Sequence, residues 1–226
     1  MLIETYPGPD AAADAATEAI VRALAAPGPK KLVVTGGRTP GPVYDRLSGV
    51  ELDWERVTVT LSDERFVPTD SPESNERLVR ERLLRNAAAG AAFVPLKGPG
   101  PAPEDDAAAA EPRIRALTPF DAVLLGMGED GHVGSLFPGA PGLAAALDPD
   151  GEHWITACAQ AGLAPYVPRI SLTVRALEDA RLIVLFVSGR PKRDLLDRVK
   201  ADPAFAPPVA ALLRRATSAA RIIWWD

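Results

Sequence analysis

Only two side chains of this sequence, His132 and His153, are histidines, the residue type that is an uncharged base near neutral pH without special perturbation. Chemistry that needs such a base therefore has two obvious candidates. His132 stands in the glycine-rich run Gly126-Met127-Gly128-Glu129-Asp130-Gly131-His132-Val133-Gly134-Ser135-Leu136-Phe137-Pro138-Gly139, directly after an apolar run from Asp121 to Leu125. Glycines permit a tight loop, and residues i and i+2 of an extended chain point the same way, so Asp130 and His132 can project together. A carboxylate beside a neutral His holds the ring in one tautomer and makes it a general base toward water. His153, in Gly151-Glu152-His153-Trp154, lacks such a loop and reads as structural.

Gly126, Gly128 and Gly131 also spell G-x-G-x-x-G, a pattern of dinucleotide sites. That reading is rejected, because Glu129 and Asp130 fall where a pyrophosphate would sit and Pro138 limits any helix that could present its N-terminus. Nucleophile schemes fail as well. Ser135 is not in a G-x-S-x-G elbow, since Val133 and Phe137 occupy the glycine positions. Cys158 has no activating motif beside it, and neither histidine begins an H-E-x-x-H metal site. Asp63, Glu64, Asp130 and His132 are metal-ligating types, but their spacing is not diagnostic, and no metal or cofactor is required.

Three further segments follow apolar runs. Thr35-Gly36-Gly37-Arg38-Thr39-Pro40 combines two glycines for close backbone approach, Thr39 as an N-cap and Pro40 at a first helical position. The free N–H groups of such a helix start favour an anion. The same pattern also marks a plain strand-to-helix turn, and it is not a P-loop. Ser62-Asp63-Glu64-Arg65-Phe66-Val67-Pro68, with the loop to Asn75, brings two carboxylates and a guanidinium to a strand's carboxyl end. Internal salt-bridging accounts for at least one of the three. Ser188-Gly189-Arg190-Pro191-Lys192-Arg193 places three cations at a helix start, where they are electrostatically misplaced unless an anion joins them. Lys192 is the candidate ligand for that anion, whereas Arg190 and Arg193 read as a solvated cluster. Arg169, at the start of Arg169-Ile170-Ser171-Leu172, could add a bidentate contact, though by itself it reads as a surface residue.

The elements that must position these residues are legible as runs. Lys31–Thr35, Val57–Leu61, Asp121–Leu125, Arg181–Val187 and Arg221–Trp225 look like strands buried on both faces. Helical spacing fills Asp10–Ala26, Asn75–Leu84, Asp105–Leu117, Pro191–Val199 and Pro207–Arg214. Alternation of strand and helix predicts an α/β fold: one domain over residues 1–226, with a doubly wound, mostly parallel sheet and helices on both faces. Ligands of such sheets bind beyond the strands' carboxyl ends, where all four segments stand. Lys97–Pro103 has a linker's composition but reads as a surface loop within that domain. Trp224-Trp225 reads as a final strand packed into the core rather than as an interface.

Composition excludes other classes. Hydrophobic residues make up 47 % and charged residues 24 %, as in ordinary globular proteins. The 20 Arg and 5 Lys against 30 acidic residues give a net charge of −5 without basic clusters, which argues against nucleic acid. Cys158 is the only cysteine, so no intramolecular disulfide forms and a reducing compartment is expected. No uncharged apolar run approaches the roughly 18 residues of a membrane span, and the N-terminus has no signal-peptide pattern. A soluble, cytoplasmic monomer is expected, with no membrane partner.

Taken in order, VTGGRTP, LSDERFVP with SNERLVRERLL, LLGMGEDGHVGSLFPG, PRISLT and SGRPK resemble the 6-phosphogluconolactonase family, within a glucosamine-6-phosphate isomerase/deaminase-like superfamily, from about Val34 to Lys192. The resemblance implies a doubly wound sheet that binds phosphosugars and hydrolyses 6-phospho-D-glucono-1,5-lactone in the oxidative pentose phosphate pathway. It implies His132 as general base, with Asp130 and Asp63 as catalytic carboxylates. Gly36, Gly37, Arg38, Thr39, Arg65, Asn75, Arg169 and Lys192 form the expected substrate and phosphate site. Val133-Gly134 departs from the more usual Thr-Ala, a matter of packing. Related deaminases carry a ring-opening Glu where this chain has Phe137, which cannot transfer a proton. A phosphosugar isomerase or deaminase acting on glucosamine 6-phosphate, and a non-catalytic sugar-phosphate sensor, are the competing readings.

Overall fold

The computed structural model describes residues 2–159, 164–216 and 220–226. In chain order the first half contains β1 (Ile3–Thr5), α1 (Pro9–Leu24), β2 (Lys30–Val34), α2 (Gly41–Ser48), β3 (Val57–Leu61), β4 (Asp63–Arg65), α3 (Asn75–Arg82) and β5 (Ala92–Val94). The second half contains α4 (Pro103–Leu117), β6 (Ala122–Leu125), α5 (Leu143–Leu147), β7 (Ile155–Cys158), β8 (Arg169–Leu172), α6 (Val174–Leu177), β9 (Ile183–Ser188), α7 (Arg190–Ala201), α8 (Pro208–Arg215) and β10 (Ala220–Trp225).

Seven strands form one parallel sheet in the order β1-β10-β9-β6-β2-β3-β5, so the α/β expectation holds. Its central strands are Val-, Ile- and Leu-rich because helices around the sheet leave them no water-facing side; every residue of β6 is buried. Strands run outward in sequence from β2 to β5 on one side and from β6 through β9 to β10 on the other. The order therefore reverses between β2 and β6. In an open sheet that switch point opens a crevice outside the strands' carboxyl ends.

A second, antiparallel sheet of three short strands, β4-β8-β7, was not expected from the sequence. β4 pairs β8 with Asp63 opposite Ser171 and Arg65 opposite Arg169, which brings segments more than 100 residues apart to one side of the crevice. The buried hydrophobic cluster draws residues from both sides of Lys97–Pro103. That loop is held by the Asp106 carboxylate, which accepts the Gly100 N–H at 2.8 Å. Trp224 and Trp225 are buried in the same cluster, as a final core strand requires.

One boundary differs in a way that matters. The strand read as Lys31–Thr35 ends at Val34, and the helix expected to begin at Thr39-Pro40 begins at Gly41, with Pro40 rather than Thr39 at the N-cap. The helix start is also not an open anion site. The Gly41 N–H donates to the Arg38 carbonyl, and those of Val43 and Tyr44 donate to that of Pro40. The chain between Val34 and Gly41 is a loop, with its own donors.

Candidate active site

After β6 the chain turns tightly, with Gly128 N–H donating to the His132 carbonyl at 3.0 Å and Gly131 N–H to that of Gly128 at 3.1 Å. Gly131 has φ +81°, a conformation glycine adopts without steric cost. Gly128 serves a second purpose, since a Cβ there would lie 2.2 Å from the His132 ring. The imidazole thus lies against bare backbone. Asp130 Oδ1 accepts the His132 backbone N–H at 3.1 Å and sits 2.6 Å from its Nδ1. With Asp130 ionised, that contact requires the proton on Nδ1 and leaves Nε2 as the basic nitrogen. His132 lines the crevice, whereas Asp130 lies behind it. Phe137 closes the other side of the ring, centroids 4.7 Å apart.

Of Asp63, Glu64 and Arg65, the middle residue is structural. Glu64 is 1 % exposed and accepts the Arg65, Asn75 and Glu76 N–H groups and the Ser74 hydroxyl. It anchors the start of α3, where a carboxylate suits the helix dipole. Burial raises its pKa, a tendency those four hydrogen bonds oppose. Asp63 faces the crevice. Its Oδ1 accepts the Ser62 hydroxyl at 2.8 Å and its Oδ2 the Ser135 hydroxyl at 2.7 Å. Ser171 completes the clamp by accepting the Ser135 N–H at 3.1 Å. Asn75 donates to the Asp63 carbonyl at 2.8 Å and accepts from Arg65 at 3.2 Å. It also lies directly beneath Gly36, where a Cβ would come within 2.0 Å of its side chain.

Cations complete the lining. Arg169 is 5 % exposed, not the surface residue its segment alone suggested. Its guanidinium lies over the Phe137 ring at 5.6 Å. Burial lowers its pKa, partly offset by the charge of Asp63. Arg65 stands opposite it in the β4–β8 ladder, where its guanidinium donates to the Glu73 carbonyl at 2.8 Å and lies 3.9 Å from the Glu73 carboxylate. Lys192, half-buried near the start of α7, has its pKa lowered by burial, with Glu129 opposing. Arg190 and Arg193 pair instead with Asp194 and Asp197 one turn along the helix, and Arg193 also packs on Trp224.

The crevice has a volume of about 250 Å³. Gly36, Gly37, Thr39, Asp63, Arg65, Asn75, His132, Arg169 and Lys192 all line it, whereas Arg38 is exposed outside it. The backbone N–H groups of Gly36, Gly37, Arg38 and Thr39 have no acceptor among the described residues. His153 is remote from the crevice and 74 % exposed in its side chain. Sequence reasoning missed Ser135, Ser171 and Phe137 as site-builders. Phe137 alone left a signal, by standing where a proton-transferring carboxylate was sought. Among the described residues no three His, Cys, Asp or Glu side chains converge as a metal site, and no helix is long and apolar enough to cross a membrane.

A histidine–carboxylate pair at the switch point of a doubly wound sheet, ringed by arginines, a lysine and free backbone donors, defines a class of α/β protein built to act on an anionic small molecule. Comparison with known proteins narrows the class. The family model for glucosamine-6-phosphate isomerases/6-phosphogluconolactonase matches residues 9–224, and the chain belongs to that family. It is 46 % identical to a 6-phosphogluconolactonase of Caulobacter vibrioides, over 95 % of this chain and 91 % of that protein. A Rhizobium meliloti 6-phosphogluconolactonase is 42 % identical over 95 % and 93 %. Among solved structures, a Shewanella baltica 6-phosphogluconolactonase superimposes with TM-score 0.91 at 34 % identity, covering 100 % of this chain and 98 % of that one. A monomeric glucosamine-6-phosphate deaminase shares the fold, with TM-score 0.81 at 15 % identity, covering 100 % and 98 %.

Proposed function

We propose that this chain hydrolyses 6-phospho-D-glucono-1,5-lactone to 6-phosphogluconate, the second step of the oxidative pentose phosphate pathway, as a single cytoplasmic domain. The 2.6 Å contact between Asp130 and His132 Nδ1 carries the reading, because it leaves Nε2 as a base at the crevice wall. In the proposed step His132 Nε2 takes a proton from water as its oxygen attacks the lactone carbonyl carbon. Asp130 stabilises the imidazolium that forms. The tetrahedral intermediate then breaks its bond to the ring oxygen, which receives that proton from His132. Water is added across one C–O bond and nothing is oxidised or reduced.

The phosphate is assigned to the Gly36–Thr39 backbone donors with Arg65, Arg169 and Lys192, which suit a dianion through charge-assisted hydrogen bonds. Asp63 and Asn75 hold the floor between the phosphate and His132. Phe137 disfavours the deaminase reading, since it packs against His132 where ring opening would need a carboxylate. Hydrolysis of the phosphorylated lactone and of unphosphorylated gluconolactone, each corrected for spontaneous opening, tests the proposal. Fast turnover of the phosphorylated lactone alone is expected. No acceleration of either by folded protein overturns the reading and favours ammonia release from glucosamine 6-phosphate or simple binding.

A further inference from the structure

Tyr44 is fully buried on α2 and lies outside the crevice lining, yet its hydroxyl makes two contacts with one residue of the site. It accepts the Thr35 N–H at 3.0 Å and donates to the Thr35 carbonyl in a short hydrogen bond. Thr35 is the first residue beyond β2. Through Val34 the strand pairs with β3, and at Leu32 and Val33 also with β6, and the Val34 carbonyl accepts the Ser62 N–H at 2.7 Å. At Thr35 a side chain substitutes for the neighbouring strand. Buried backbone groups must find partners, and a single hydroxyl supplies both. The sheet pairing ends there without an unsatisfied group.

The consequence lies in the next four residues. The N–H groups of Gly36, Gly37, Arg38 and Thr39 have no acceptor among the described residues, and Gly36, Gly37 and Thr39 line the crevice. The start of α2 supplies no donor in their place, because its N–H groups are already bound to Arg38 and Pro40. The Asn75 side chain fixes the loop from below at Gly36, and Tyr44 fixes its entry at Thr35. Burial raises the phenol's pKa far above its ordinary value, so the hydroxyl keeps its proton and its donor role.

We propose that Tyr44 is a positioning residue for substrate binding: its hydroxyl ends β2 and aims the Gly36–Thr39 backbone donors at the phosphate of the substrate. The inference rests on the assignment of that loop to the phosphate. Tyr44→Phe removes the hydroxyl and keeps the ring. The expected result is a KM for the phosphorylated lactone, and an inhibition constant for inorganic phosphate, each raised about tenfold, with kcat little changed. Leu47→Ala, a buried substitution on the same helix, serves as control. It lowers thermal stability without touching the Thr35 contacts, and both constants should stay at wild-type values.

A second measurement uses the unmodified chain. Amide exchange should show Thr35 protected, and Gly36 to Thr39 exchanging freely until inorganic phosphate is added. Unchanged constants in folded Tyr44→Phe, equal changes in Leu47→Ala, or an unprotected Thr35 amide overturn the role of Tyr44 while the lactonase reading stands. A wild-type chain that neither hydrolyses the lactone nor binds phosphate overturns that reading and, with it, this proposal.

Discussion

Asp130→Asn isolates the charge of the carboxylate from its geometry. Asp130 Oδ1 accepts both the His132 backbone N–H and the Nδ1 proton, and an asparagine Oδ1 can accept both as well. The tautomer is therefore retained, and only the partner for the developing imidazolium is lost. Two unit charges about 4 Å apart interact by roughly 1 kcal/mol in water and about 4 kcal/mol near a protein surface. The Asp130 side chain is 49 % exposed, so solvent screening sets the value in the lower half of that range, about 2 kcal/mol. At 1.36 kcal/mol per tenfold, kcat should fall about 30-fold. KM should change less than about twofold, because Asp130 does not line the crevice. Initial rates of lactone opening, followed by acid release in weak buffer, measure both. His132→Ala serves as the reference for complete loss of the base, about 10²–10⁴-fold. An Asp130→Asn enzyme with undiminished kcat would refute the assignment of Asp130 to the imidazolium, and a large KM effect at constant kcat would move it to binding.

Two other substitutions test the remaining walls. Lys192→Met should raise KM for the phosphorylated lactone about 10- to 100-fold, the equivalent of one hydrogen bond to a charged group, and leave unphosphorylated gluconolactone unaffected. Because burial lowers the lysine's pKa, the unfolded chain binds more protons than the folded one between the lowered and ordinary lysine values. Stability from this group then rises with pH across that alkaline window while phosphate affinity falls. The same variant should accordingly melt higher than wild type at neutral pH, and a lower melting temperature would contradict the burial argument. Ser135→Ala leaves Asp63 Oδ2 buried with one donor fewer, a cost of about 2–3 kcal/mol. The melting temperature should drop by about 5–10 °C, and calorimetry showing no change would mean that Ser135 does not hold Asp63.

What could be read from the chain depended on how far apart the interacting residues lie. The long central strands were legible because burial on both faces selects short runs rich in β-branched and aliphatic residues, and Val57–Leu61, Val-Thr-Val-Thr-Leu, has identical bounds in the structure. β1 and β5, each of three residues, are too short to show a period. β4 carries a charge on each of its three residues, so it reads as a loop until β8 pairs with it. Asp130 and His132 were legible because a two-residue spacing on a glycine turn is a local fact. Ser135 and Asp63, 72 positions apart, left no such trace. Arg38 was assigned to the phosphate by its place in the segment, and the loop instead turns its side chain to solvent and its neighbours' backbone inward.

The sequence by itself determined the class of fold, its longer central strands and helices, and the placing of His132 beside Asp130 on a glycine-rich turn. Those follow from hydrophobic periodicity, glycine conformation and contacts between near neighbours. Tertiary structure alone decided that Arg169, a surface residue by its segment, is buried beside Lys192 at the crevice, and which carboxylates, one helical turn away, hold the cluster of Arg190 and Arg193. It also decided that the N–H groups at the crevice without an acceptor among the described residues belong to a loop rather than a helix end, and that the hydroxyl of Tyr44, nine residues on, takes both backbone groups of Thr35. A hydrogen bond between side chain and backbone costs no sequence pattern to specify, and only the packing of α2 against the end of β2 reveals it.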